Sequence, residues 1–226
     1  MRYIYLLLCL GICVSACKTV QPTRTPAQIM QDAKLYYDNP NEVIYQCKEP
    51  LIAKQQLMLN GNTNFGGLMT RGMALSSKNT SYGAIINANA LQVDKVFDSE
   101  LTILDVFSAI PAKDQVWNVM IRGPELKKVL DASLKNKGKD GFFQLDRIMH
   151  NPKTGEWIIG RKPLQENRNY PIAVAASLMS GKVPNLEFFT EKNENIIEVK
   201  KPDVTDNSDL RNDLRRAIVE YLKTQK

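Results

Sequence analysis

The chain has 226 residues, 43% hydrophobic and 24% charged, with a formal net charge of +6 at pH 7. This is ordinary globular usage and excludes collagen-like, low-complexity and wholly disordered chains. The length suits one domain of roughly 100–200 residues, with or without a tether. The only long apolar run is N-terminal, so the chain does not read as a polytopic membrane protein. His150 is the single histidine. It excludes an imidazole-rich metal hydrolase, and a serine or cysteine hydrolase with a separate histidine base. Basic residues are scattered among acids, apart from Lys200-Lys201 and Arg215-Arg216, so no nucleic-acid footprint is read.

Met1-Arg2-Tyr3 gives a short positive start, and residues 4–12 are almost wholly apolar. That run is too short for a mature membrane span and suits a signal-peptide core. Val14-Ser15-Ala16-Cys17 resembles the bacterial lipobox, in which the cysteine is lipidated and becomes the first residue. The resemblance implies a lipoprotein signal peptide over 1–16 and a membrane anchor through lipid on Cys17. It places the protein in the bacterial cell envelope, on the periplasmic face or the cell surface. A conventional secretory signal is the alternative. With Cys9 and Cys13 removed, Cys47 has no intramolecular partner; it is either a buried small hydrophobe or a free thiol. Residues 18–27 carry Pro22 and Pro26 and no periodicity. The lipidated cysteine and tether are set at 17–42, ahead of one domain at 43–226.

A helix is expected over 28–37, stopped by Asp38-Asn39-Pro40-Asn41, and residues 43–46 and 51–59 read as extended. Phe65, Leu68, Met69 and Met73 share one helical face, with Thr63 or Asn64 as the cap. Ala84-Ile85-Ile86 reads as a buried strand, followed by a loop at Asn87-Ala88-Asn89-Ala90. Residues 102–109 suit a short helix ended by Pro111, and 115–122 a strand. Pro124 and Glu125 open the next helix, whose stripe is Leu126, Val129, Leu130 and Leu134, and Gly138 is its stop. Strands are expected over 142–149 and 157–160, joined by a turn at 151–155, and over 170–176. A final helix carries Leu210, Leu214, Ala217, Ile218, Tyr221 and Leu222 on one face, with the stretch from Asp206 to Asp209 capping its start. The mixed order gives an α+β class.

Several segments, in order, resemble the C-terminal domain of bacterial 5'-nucleotidases and UDP-sugar hydrolases. They are Thr63-Asn64-Phe65-Gly66-Gly67-Leu68, then Ala84-Ile85-Ile86-Asn87, then residues 101–111, Ile121-Arg122-Gly123-Pro124-Glu125-Leu126-Lys127, Tyr170-Pro171-Ile172-Ala173-Val174, and Asp209-Leu210-Arg211-Asn212 with Glu220-Tyr221. The resemblance covers roughly residues 50–225 and implies a mixed sheet with packed helices. In that family the C-terminal domain holds the nucleoside end of the substrate, and a separate N-terminal metallophosphatase domain carries two metals and the attacking water. One histidine cannot supply such a ligand set. The resemblance therefore implies half of an enzyme. It is by itself non-catalytic and without a cofactor or metal, and acts in nucleotide catabolism with a separate metallophosphatase chain that holds the divalent metals. The alternative is a degenerate domain that has lost nucleoside binding and serves as an interaction or scaffold module.

The motifs depart from the family where it grips the base. A Pro-Phe-Gly-Asn segment there is Pro111-Ala112-Lys113-Asp114 here, so a stacking face worth about 1–3 kcal/mol per base is absent. The second family phenylalanine, before a Gly-Gly-Asp-Gly-Tyr turn, has no counterpart in residues 176–183. Gln92 stands where the family's Ser-Gly-Gly-Ile-Arg loop has its arginine, and Gly67 where some members place another. What remains for a nucleoside or nucleotide is Asn87, Asn89, Gln92 and Asp114; Asn87 and Asn89 can equally serve to satisfy loop backbone. No catalytic and no metal residue is assigned. Asp209 and Asp213, at helical spacing, read as solvated charge.

Overall fold

The structure, a computed structural model, describes residues 24–77 and 81–225. The expected signal peptide over 1–16, Cys17 and the start of the expected tether lie outside the described residues. In chain order the elements are α1 (Pro26–Lys34), β1 (Val43–Gln46), β2 (Leu51–Ala53), α2 (Gln55–Met58), α3 (Asn64–Ser76), β3 (Gly83–Asn87), β4 (Lys95–Phe97), β5 (Glu100–Thr102), α4 (Ile103–Ala109), β6 (Val116–Arg122) and α5 (Gly123–Lys135). Then follow β7 (Phe143–Asp146), β8 (Ile148–His150), β9 (Trp157–Ile159), β10 (Lys162–Pro163), β11 (Asn169–Ala175), β12 (Ile196–Lys200) and α6 (Leu214–Lys223).

Five strands form the central sheet in the order β12-β6-β11-β3-β7. Only β3 and β11 run parallel, with Ala84 opposite Ala173; the other pairs are antiparallel. The period-2 alternation of strands sorts the side chains into two cores. Ala84, Ile86, Ala173 and Ala175 join Met69, Met73, Leu214 and Ile218 on the side of α3 and α6. Ile85, Ile172 and Val174 join Leu126, Val129 and Leu130 of α5 on the other side. The result is three layers, with helices on both faces of one mixed sheet. Small residues on the α3 face let that helix approach closely. At Gly72 an added Cβ would lie 2.7 Å from Ile218 Cα, so the α3–α6 crossing admits nothing larger without a backbone shift.

Local signals explain most helix starts. Thr63 caps α3 by accepting from Gly66 N at 3.0 Å. Pro124 sits in the first turn of α5. At α4, Thr102 Oγ1 accepts from Asp105 N at 3.1 Å, and the Asp105 carboxylate accepts from Thr102 N at 3.0 Å, a closed capping box. Burial opposes ionisation of Asp105, but hydrogen bonds from Lys95 and Thr102 outweigh it and hold the carboxyl below its usual range. A depressed folded-state pKa stabilises above the unfolded value and loses that contribution as pH falls through the folded one. Asp105→Ala is expected to cost about 1 kcal/mol at neutral pH. In urea unfolding from about pH 7 to about pH 2, the gap between wild type and variant should close in acid. A gap that stays constant to the acid limit would refute the ionised cap.

Several expectations are corrected. The tether set at 17–42 contains α1, whose Ile29 and Ala33 are buried against the core, so the folded body takes in this helix. α1 also starts earlier than expected, on a Thr25 capping box. Residues 51–59 are not one extended run: β2 ends at Ala53 and α2 follows. Residues 142–149 are two strands rather than one. Arg147 takes φ 55 and swings the chain out of the central sheet into the antiparallel β8-β9-β10 sheet. The last helix begins at Leu214, not Leu210; Asp213 is its cap, accepting from Arg215 N, while Asp209 caps a separate 3-10 turn at Leu210–Asn212. Asp213 is fully buried, which overturns the reading of it as solvated charge.

Candidate functional site

The parallel neighbours β3 and β11 end side by side, so the loops that follow them open at the same end of the sheet. The antiparallel β6 begins there, which brings in the segment 111–115. The four residues singled out by sequence fall on these loops, yet they differ in what their side chains do. Asn87 caps the 3-10 turn Ala88–Ala90: its Oδ1 accepts from Asn89 N at 3.1 Å and Gly141 N at 3.3 Å, and its Nδ2 donates to Asp140 Oδ1 at 2.8 Å. That side chain is occupied in holding the β3 loop to the turn before β7. Asn89 and Gln92 are exposed. The Gln92 backbone donates to Ala109 O at 2.7 Å, which fixes the loop to the end of α4.

Asp114 ties the loops together. Its carboxylate accepts from Gln115 N at 2.8 Å and from Ser177 N at 3.3 Å, and its carbonyl accepts from Leu214 N at 2.9 Å. Burial pushes its carboxyl above the usual range, against the hydrogen bonds from Ser177 and Gln115. The carbonyl of Pro111 accepts from Arg215 Nη1 at 3.5 Å, and Arg215 forks onto Asp213 and reaches Asp32. The segment 111–114 is thus clamped from α6 and α1, with Ala112 and Lys113 left exposed on top. No aromatic replaces the missing phenylalanine at Ala112 directly. Tyr36 is an aromatic that touches this segment: its hydroxyl accepts from Lys113 Nζ at 3.4 Å, with the Arg216 guanidinium 4.7 Å over its ring. Tyr36 is not evident from the sequence because it lies 77 residues before Lys113 and reads as part of a helix end.

The remaining candidates for chemistry are absorbed elsewhere. His150 packs on Trp157, with ring centroids 4.9 Å apart. Cys47 is a free, half-buried cysteine whose thiol is pushed up by burial and by the carboxylates of Asp98, Asp105 and Glu100, which disfavours the nucleophilic thiolate. Phe189 is buried in the α5-side core, and Phe188 carries Lys128 over its ring at 3.8 Å. Among the described residues no three His, Cys, Asp or Glu side chains come together as a metal site. An open groove of ≈ 1030 Å³ runs along β7 and the β8–β9 hairpin, and none of the four candidate residues lines it.

One mixed five-stranded sheet, covered by helices on both faces and closed at one end by the loops after its parallel strands, defines the class of this α+β domain. Residues 43–190 match the family model described as the 5'-nucleotidase, C-terminal domain, and the chain belongs to that family. Solved structures share the fold. A 5'-nucleotidase precursor from Thermus thermophilus matches with a TM-score of 0.65 at 17% identity, over 88% of this chain and 39% of its own. The NAD nucleotidase of Haemophilus influenzae matches with a TM-score of 0.59 at 17% identity, over 87% and 38%. The sulfate thiohydrolase SoxB of Thermus thermophilus matches with a TM-score of 0.55 at 12% identity, over 87% and 35%. This chain thus spans less than two fifths of the length of each. Among curated proteins none matches.

Proposed function

We propose that this chain is the substrate-recognition half of a split 5'-nucleotidase-type phosphohydrolase, lipid-anchored through Cys17 in the bacterial cell envelope. By itself it is non-catalytic. A separate metallophosphatase chain supplies the divalent metals and the attacking water, and the pair removes phosphate from nucleotides. The observation that carries this reading is the family match over 43–190, which is to the C-terminal domain. The sequence has a single histidine, His150, whereas two-metal hydrolysis draws on a dense set of His, Asp and Asn donors. In this reading Asn89 and Gln92, exposed on the loop after β3, and the clamped Asp114 contact the nucleoside, with Asn87 holding their loop in place.

A second reading is favoured by a specific observation. Asn87 and Asp114 already spend their hydrogen bonds on backbone and on Asp140, and Ala112 offers no stacking face. A degenerate domain kept for interaction or scaffolding fits that economy. Capture with the tagged full chain from its native lysate separates the two. Recovery of a two-metal phosphatase, with nucleotide hydrolysis that needs both chains, supports the split enzyme. No phosphatase, together with no thermal shift by adenosine, uridine or a UDP-sugar, would overturn it and leave the scaffold.

A further inference from the structure

The groove beside β7 gathers three arginines that play no part at the loop end of the sheet. Its walls are the outer face of α3, with Leu68 and Arg71, and the bend and hairpin that follow β7, with Arg147, Met149, Ile158 and Arg161. Asp146, only 3% exposed, sits at the base. It accepts from Arg71 Nε at 3.1 Å and from Arg147 Nε at 3.0 Å. One buried carboxylate thus fixes two guanidinium groups that are themselves 55% and 39% exposed. Arg161 is exposed on the far wall and has no ion-pair partner among the described residues. The positive charge of the three exceeds what Asp146 and the rim residue Glu49 can balance.

Backbone geometry sets the same residues apart. Non-glycine residues at positive φ are uncommon, and bulky ones more so. Among the described residues Arg147 and Arg161 adopt φ 55 and 76, with Asn185 the third such case. Holding an arginine in the left-handed region costs stability, and such strain collects at ligand clamps. The neutral amides of the groove are already used. Asn62 pairs with Leu145 N and O, and Asn64 with Ile52 N and Pro50 O. The arginines are the cationic groups of the lining, beside the hydroxyls of Tyr45 and Tyr82, and Leu68, Met149 and Ile158 give it an apolar wall. Arginine forks match the oxygens of phosphate in two-pronged fashion. At ≈ 1030 Å³ the groove takes a small organic molecule with room to spare.

We propose that this groove binds a small phosphate ester with an apolar body, the phosphate held by Arg71, Arg147 and Arg161. The site is separate from the loops that hold Asn87 and Asp114. Asp146 and Phe143 lie at opposite ends of β7, and Phe143 pairs with Asn87. At about 3.4 Å per residue the two regions are roughly 10 Å apart.

Titration calorimetry on the full chain with inorganic phosphate and with phenyl phosphate tests this. Phenyl phosphate is expected to bind at least tenfold more tightly than inorganic phosphate, and more weakly as salt rises. Arg147→Gly and Arg161→Gly should each weaken binding at least tenfold. Glycine suits both backbone conformations, and an unchanged urea midpoint would show that the fold survives. Gln92→Ala and Asp114→Asn should leave binding unchanged. No saturable binding of either probe at low salt would overturn the site, as would binding indifferent to both glycine variants. Equal affinity for the two probes would overturn the ester assignment. Binding lost in Gln92→Ala would place the phosphate at the loop end of the sheet instead.

Discussion

Replacing Arg215 by alanine is expected to lower the unfolding free energy by about 3–5 kcal/mol, the cost of removing one partner from a buried ion pair. The Arg215 side chain is 1% exposed and that of Asp213 is 0%. Nε meets Asp213 Oδ1 at 2.9 Å and Nη2 meets Oδ2 at 2.7 Å, a two-pronged fork, while Nη1 reaches Asp32 at 3.0 Å. Burial by itself would ease deprotonation of the guanidinium, but Asp213 and Asp32 hold its pKa above the usual value. Alanine would leave the Asp213 carboxylate buried without its forked partner and still needed as the cap of α6. Arg215→Lys keeps the charge and loses the fork, so an intermediate loss is expected. Arg24, which also pairs with Asp32, is 39% exposed, and Arg24→Ala should cost no more than about 1 kcal/mol. Urea unfolding of the three variants decides it. A loss for Arg215→Ala as small as that for Arg24→Ala would show that the buried fork contributes nothing net. Amide exchange should also rise along 111–115, since Arg215 helps hold the Pro111 carbonyl.

The elements legible in the sequence were those whose signal is local. Thr63, Thr102 and Pro124 mark helix starts by chemistry that acts within one turn, and each stands at the helix expected. The apolar runs of β3 and β11 were legible because a strand buried on both faces has no polar alternation to blur it. What failed was set by distant partners. Residues 142–149 are continuous in β-propensity, and only the pairing of Asp146 with Ala84 and of Ile148 with Ile159 divides them. The short β4, β5 and β12 carry no strong pattern of their own and exist by pairing with β2, β1 and β6. Asp209 and Asp213 have equal local claims to start the last helix. Arg215 decides between them, because its buried guanidinium takes the Asp213 carboxylate inside as its two-pronged partner.

The site was legible to the level of loops and not of side chains. The resemblance named the three connections that meet at one end of the sheet, and the strand order brings them there. It did not show that Asn87 reaches Asp140 and Gly141, more than fifty residues away, or that Asp114 receives Ser177 N from across the sheet end. The groove beside β7 was invisible for the same reason. Arg71, Arg147 and Arg161 are scattered among many basic residues in the chain, and only the turn at Arg147 and the burial of Asp146 gather them.

Gln144→Ala is expected to cost about 3 kcal/mol, and Gly66→Ala about 2 kcal/mol, but the two losses should not add. Gln144 is fully buried in β7, and its amide joins the sheet to the chain entering α3. Oε1 accepts from Thr63 N at 2.9 Å, and Nε2 donates to Met58 O at 2.6 Å and Gly61 O at 2.7 Å. Alanine would orphan these backbone groups, each worth about 1–3 kcal/mol when it stays dry. Gly66 is the other half of the device. A Cβ there would come within 1.9 Å of Gln144 Oε1, so alanine has to push the amide off its partners. Once Gln144 is truncated to alanine, the three atoms nearest that Cβ, Oε1, Cδ and Cγ of Gln144, are gone. Alanine then gains about 0.8–1 kcal/mol over glycine in helix propensity. The double variant should therefore be no less stable than Gln144→Ala alone. A urea-denaturation cycle over the four proteins measures the coupling. Losses that sum, with no coupling beyond about 0.5 kcal/mol, would mean that Gly66 is not held small by Gln144.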